Sequence, residues 1–201
     1  MIARTFGIML SAALLGTAAV PAQAQNQSEG YKFLQAVKDS KGTEVEKMLN
    51  VPGTTVLNTR EISTGEGALH IVVRRGDATY LRFLLARGAD PNIRDGKGNT
   101  PLMLAAGLGQ SELIQALIDK KANVNLANSS GETPLIRAVQ RRDLGLARSL
   151  IAAGADPDQA DVIAGKSARD YATEDARATA MAKLMQETPK KARRAVSGPG
   201  L

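Results

Sequence analysis

"GNTPLMLAAGLGQ", residues 98–110, returns as "GETPLIRAVQRRD", residues 131–143. Gly98 and Gly131 stand 33 positions apart, and the interval recurs on both sides of them. Gly65, Gly98 and Gly131 share it, as do Leu69, Leu102 and Leu135, and Leu84, Leu117 and Leu150. Self-similarity at a fixed period of about 20–50 residues marks a chain built from stacked copies of one supersecondary unit.

The content of the unit follows from local chemistry. In Thr100-Pro101 and Thr133-Pro134, threonine caps the orphan amides of a helix start. Proline fits the first helical position because its missing N–H had no partner there. Leu102, Ala105 and Ala106 then face one side, and the alanines let a neighbouring helix approach. Gly109 breaks this helix, and Ser111 is expected to cap a second one, whose Leu113, Ile114, Leu117 and Ile118 make an apolar face. Gly88 and Gly154 stand where a left-handed residue closes the second helix. Three residues depart from this pattern. Lys121 occupies the position of Gly88 and Gly154, Arg142 that of Gly76 and Gly109, and Gly145 falls inside a second helix. Non-glycine residues at positive φ cost about 1 kcal/mol each, and a helical glycine costs about as much. The unit 128–160 is therefore expected to be the softest of the central three.

On these residues the chain resembles the ankyrin repeat family, whose 33-residue period and T-P-L-H-x-A signature it follows over roughly 31–187. The resemblance implies an all-α fold, a solenoid of stacked helix-turn-helix units with β-hairpin-like fingers between them. Central repeats fall at 62–94, 95–127 and 128–160. Residues 31–61 form an N-terminal cap repeat and 161–187 a C-terminal cap repeat, within a repeat domain of 25–187. Gly165 lies 34 residues after Gly131, one out of step. Arg169 stands where earlier units have leucine, which suits a surface facing water. One helix pair cannot bury its apolar stripes alone, so stability is a sum over neighbouring interfaces.

The two ends read differently. Arg4, an apolar run over 6–20 and Ala22-Gln23-Ala24 have the layout of a secretory leader, with cleavage expected after Ala24. The run is shorter than the ~20 residues that a membrane span prefers, so no span is expected in the mature chain. A periplasmic or secreted destination follows. Residues 188–201 are basic, carry Pro and Gly, and read as a disordered solubilising tail. The formal net charge is +6. Arg4, Lys190, Lys191, Arg193 and Arg194 account for all but one of these charges, leaving residues 25–187 nearly neutral. A nucleic-acid binder carries its basic surface on the folded domain, so no nucleic acid is expected. Cysteine is absent, which removes disulfides, thiol catalysis and a lipid-modified cysteine.

Chemistry is sparse. His70 is the single histidine. It holds the His position of the family motif, and the resemblance gives it a bracing role beside the finger. Asp90 and Asp156 start turns before proline. Gly96-Lys97-Gly98 and Gly107-Leu108-Gly109 lack the surroundings of a phosphate loop. No catalytic residue, metal site or cofactor is expected. The resemblance implies a protein partner docked on the concave side. Carried over position by position, that side comprises Ser63, Thr64 and Glu66, then Gly96, Lys97 and Asn99, then Ser129, Ser130 and Glu132. The first-helix ends add Arg74, Arg75, Gly107, Leu108, Gln140 and Arg141. Arg74, Arg75, Arg94, Lys97 and Arg141 suggest a basic stripe suited to an acidic patch. The leading expectation is a monomeric, non-enzymatic binding module. The alternative is a secreted effector that binds host proteins by mimicking eukaryotic ankyrin proteins.

Overall fold

The computed structural model describes residues 22–190, and these contain ten α-helices and one short 3-10 turn, Val56–Asn58. The leader's apolar run and the tail from 191 onward lie outside the described residues. The helices come in pairs: α1 (Ala22–Lys38) with α2 (Gly42–Leu49), α3 (Ala68–Arg75) with α4 (Ala78–Ala86), α5 (Pro101–Leu108) with α6 (Ser111–Asp119), α7 (Pro134–Gln140) with α8 (Leu144–Ala152), and α9 (Ala168–Glu174) with α10 (Thr179–Glu187). The first helices α1, α3, α5, α7 and α9 pack in series as one layer. The second helices form an outer layer, with α4 on α6 and α8 on α10, while α6 and α8 meet only sparingly. Leu69, Leu102 and Leu135 are buried as equivalent layers of one continuous core. The expected helical solenoid is what the chain forms.

The helix starts follow the capping logic. The Thr100 and Thr133 hydroxyls accept from the Met103 and Ile136 N–H groups, with proline at the first helical turn. Gly76 and Gly109 end α3 and α5 at φ 73° and 71°. Arg142 and Lys121 adopt the same left-handed backbone at φ 56° and 65° without being glycine. Ser111, however, is not a cap. It is the first residue of α6, and the cap position belongs to Gln110, which makes no side-chain cap bond. The equivalent residues Asp77 and Asp143 do cap, accepting from Tyr80 and Leu146 N–H. Gln110 is one methylene longer, and its side-chain oxygen is buried with no hydrogen-bond partner among the described residues.

The N-terminal helix also begins earlier than Tyr31, at Ala22. Gly30 lies on it against Thr59, where an added Cβ would come within 2.4 Å of the threonine methyl. Arg169 corrects the reading of a wet surface at the far end. Its side chain is 14% exposed and pairs with Asp158 at 2.7 Å. It also donates to the Met185 and Thr188 carbonyls at the end of α10. A cation at a helix C-terminus satisfies carbonyls that have no partner within the helix.

Candidate protein-binding surface

Four fingers join the units: 61–66, 95–99, 128–132 and 161–166, here fingers 1 to 4. Each closes on itself through backbone bonds such as Asp95 N–H to Asn99 O at 2.9 Å and Asn128 N–H to Glu132 O at 2.9 Å. Each turns on a left-handed glycine, Gly65, Gly98, Gly131 or Gly165. The side chain that opens a finger folds back into it. Asp95 Oδ1 accepts from the Lys97 and Asn99 N–H groups, Asn128 Oδ1 from Ser130 and Glu132, and Asp161 Oδ1 from Ile163 and Ala164. Burial pushes the Asp95 carboxyl up, but the bonds from Asn99 and Lys97 outweigh it and hold it below the usual range.

The fingers also bond to one another. Gly96 N–H donates to Thr64 O at 2.8 Å, Ser129 N–H to Lys97 O at 3.0 Å, and Val162 N–H to Ser130 O at 3.0 Å. This row needs glycine on both sides of its first contact. A Cβ at Gly65 would fall 2.4 Å from Gly96 N. At the finger bases, Arg60 donates to Arg94 O and Arg94 to Ala127 O.

His70 braces the system from beneath. It is fully buried. Its Nδ1 accepts from Gly67 N–H at 3.2 Å, so Nε2 carries the hydrogen and donates to Asn99 O at 2.9 Å. Burial lowers its pKa, against the Asn99 bond and the Asp95 charge. Asp90 and Asp156 each hold a turn, accepting from the Asn92 and Asp158 N–H groups.

The expected surface residues sort into two sets. Ser63, Lys97, Leu108, Ser129 and Gln140 are exposed, with Thr64 exposed and Ser130 half-buried beside them. The rest serve the stack. Asn99 is buried, which removes it from any docking face; its amide oxygen accepts from Asn128 and Arg137. Glu66 pairs with Arg74, and Glu132 with Arg137. Arg75 reaches back to Val37 O at 2.9 Å and Ser40 Oγ at 2.8 Å. Arg141 reaches back to Gly107 O at 2.8 Å. The basic stripe is thus not a row of free cations. Its arginines are already engaged by carbonyls or carboxylates of the chain itself. Of its five members, Lys97 is the one whose side chain makes no polar contact among the described residues.

Arg75, Leu108 and Arg141 occupy one repeat position, each 33 residues from the next. Two of the three reach back to the preceding unit. Leu108 has nothing to donate and stays 48% exposed at the middle of the row. Sequence reasoning overlooked a second set, the exposed aliphatics Ile62 on finger 1 and Val162 and Ile163 on finger 4. The out-of-step Gly165 was the signal for Val162 and Ile163, since finger 4 carries one residue more than fingers 2 and 3; Gly65 is in step and gave none for Ile62.

Comparison with known proteins agrees with this architecture. A family model for ankyrin repeats in three copies matches residues 69–161. A putative ankyrin repeat protein of fowlpox virus is 35% identical over 75 residues, 37% of this chain and 39% of that protein. A putative ankyrin repeat-containing protein of Treponema pallidum is 36% identical over 86 residues, 37% of this chain and 29% of its own length. The nuclear factor NF-kappa-B p110 subunit of Drosophila melanogaster is 40% identical over 50 residues, 25% of this chain and 5% of that protein. The matches span less than half of each of these relatives. Ankyrin repeats are protein–protein interaction modules, and among the described residues no helix is long and apolar enough to cross a membrane. With its buried layers, left-handed glycines and bonded fingers in register with it, the matched 69–161 segment of this chain is a run of ankyrin repeats.

Proposed function

We propose that the chain is an exported, non-enzymatic protein that binds a partner protein on its finger tips and first-helix ends. The observation that carries this reading is Leu108. It is half-exposed at the centre of the row, at the repeat position where Arg75 and Arg141 are both tied down. Lys97 on finger 2, Ser129 on finger 3 and Gln140 at the end of α7 are exposed as well. An apolar centre ringed by polar groups is the anatomy of a specific interface. The platform is already ordered by its own backbone bonds, so docking immobilises little that was free. Electrostatic preference for an acidic partner rests on Lys97 and not on a stripe. Export rests on the leader's composition, and the oxidising periplasm or cell exterior suits a chain with no cysteine.

The test is cross-linking and affinity capture from the native compartment, followed by titration of the captured partner in pure form. Leu108→Asp is expected to weaken binding by about tenfold or more, while Lys121→Ala, at the end of a second helix, leaves it unchanged. Equal affinity of Leu108→Asp and the unaltered protein would overturn the reading. Cell fractionation with N-terminal sequencing checks export. Gln25 is the expected first residue, and recovery of the chain with its leader intact in the cytoplasm removes this part of the proposal.

A further inference from the structure

Two rows of contacts cross the stack, and both stop at the last unit. In the finger row, the Gly96, Ser129 and Val162 N–H groups donate to the Thr64, Lys97 and Ser130 carbonyls. The next acceptor in that series is the Ala164 carbonyl, which takes no hydrogen bond among the described residues. The turn glycines mark the same ending. A Cβ at Gly65, Gly98 or Gly131 would meet backbone of the following finger at 2.4, 2.8 or 2.6 Å, whereas at Gly165 it would meet no described atom within 4 Å. In the second row, the Asn58, Asn92 and Asn125 side chains accept from the Asp90, Asn123 and Asp156 N–H groups, each in the segment that leaves a second helix. Asp158 comes next in this series, and Arg169 holds it instead.

The finger left open has an aliphatic tip. Val162 is 73% exposed and Ile163 80%, where the central tips are Gly96-Lys97 and Ser129-Ser130. At the base of this finger and the start of α9, Asp158, Asp170 and Asp156 lie near Arg169, three carboxylates to one guanidinium. Lys166 is occupied by Glu174, so the corner carries surplus negative charge. The chain returns here on leaving α10. Arg169 donates to the Thr188 carbonyl as well as to Asp158. Two residues on, the Lys190 charge adds to the Arg169 bond in holding the Asp158 carboxyl below its usual range. Residues 191–201 follow, with Lys191, Arg193 and Arg194 and then the aliphatic Val196. Eleven residues span up to ~35 Å when extended, ample for a finger that opens three residues after Asp158.

We propose that the tail, residues 191–201, docks on the open side of finger 4. Lys191, Arg193 and Arg194 face Asp156, Asp158 and Asp170, Val196 covers Val162 and Ile163, and a tail N–H takes the Ala164 carbonyl. The occupant is the chain's own tail because it starts at this corner, carries the complementary charge and has an aliphatic residue just beyond its cations. An open backbone edge invites pairing with other chains, and covering it with a local segment removes that hazard. Tethering supplies the strength. A segment anchored at Thr188 is present at an effective concentration in the mM range, so a contact too weak to form between molecules persists within one. The ionic part of the contact is screened by salt. Leu108 and the central tips stay uncovered, so this contact stands apart from the reading of the partner face.

The chain has no cysteine, so Ser197→Cys accepts a single nitroxide label. In low salt, the label is expected to reduce the amide NMR signals of Val162, Ile163 and Ala164 at least twofold and to leave those of finger 1 intact. Raising the salt to about 1 M shortens the screening length to about 3 Å and is expected to restore them. Val162→Ser combined with Ile163→Ser is expected to restore them in low salt as well. Both positions are so exposed that the fold is undisturbed, which unaltered thermal melting verifies. Finger 4 signals that ignore the label overturn the proposal, as does broadening that persists unchanged through either treatment. A mixture of labelled protein with unlabelled, isotope-enriched protein identifies whose tail is bound. Broadening of finger 4 in that mixture would make the occupant a second copy's tail and would overturn the proposal too.

Discussion

The units 95–127 and 128–160 begin on nearly the same letters and set their first helices on the same Thr-Pro start. They differ at the junctions. In the earlier unit α5 ends on Gly109, at ease in the left-handed region, but Gln110, at the cap position of α6, makes no cap bond. In the later unit the assignments are reversed: Arg142 carries the left-handed turn, and Asp143 caps α8. The later unit also carries Gly145 within α8, whose contact with α6 is sparse. The period places the helices, and the residues between them set how firmly each is held.

The largest expected effect tests whether the two cores are as alike as their placement. Leu102 and Leu135 are both fully buried. Leu102→Ala and Leu135→Ala should each cost about 3 kcal/mol, measured by urea unfolding. A difference between them well above 1 kcal/mol would break the equivalence. Next comes the uncapped helix. Gln110→Asp gives α6 the cap that Asp77 and Asp143 supply elsewhere and removes a buried carbonyl without a partner. A gain of about 1 kcal/mol is expected, and a loss would show that the glutamine amide contributes something the geometry does not reveal.

Gly145→Ala sharpens the contrast from the other side. A Cβ there meets nothing nearer than Asp143 Oδ1 at 3.6 Å. The substitution should stabilise α8 by roughly 0.5–1 kcal/mol. Hydrogen exchange should show α8 opening before α6 in the unaltered protein, with the gap narrowing in the variant. Protection of α8 above that of α6 would reverse the ranking of the two units.

The smallest effect concerns pH and the unit before them. His70 is held neutral by burial, with a pKa below its ordinary value of about 6.5. The unfolded chain therefore binds this proton more readily than the folded one, and stability falls as pH drops from about 6.5 toward the lowered pKa. Met103 and Ile136 stand at the equivalent positions of the two later units and do not titrate. His70→Met should abolish the slope in this window, whatever it does to stability at neutral pH. Thermal melting across pH 5–7 reads the slope, and its persistence would assign it to another group.

Much of this fold was legible because each unit repeats its own local chemistry. Thr100, Pro101 and Gly109 act on their nearest neighbours, so their meaning survives without a structure. What escaped depends on the unit next door. Arg75 and Arg141 looked like surface cations because their acceptors, Val37 O and Gly107 O, lie 38 and 34 residues earlier. Asn99 looked like a finger contact, yet it is roofed over by Asn128 and Arg137 of the following unit. Ser111 was mistaken for a cap by a single residue, since serine is the better capping type and only geometry shows that Gln110 holds the place.

The bonded finger row has a mechanical consequence. One edge of the stack is strapped by short backbone contacts from Thr64 to Val162, while the opposite edge is loose where α6 faces α8. Such a body is stiff against stretching along the strap and compliant against opening about it. Any splaying of the outer helices at α6 and α8 then leaves the spacing of the finger tips unchanged.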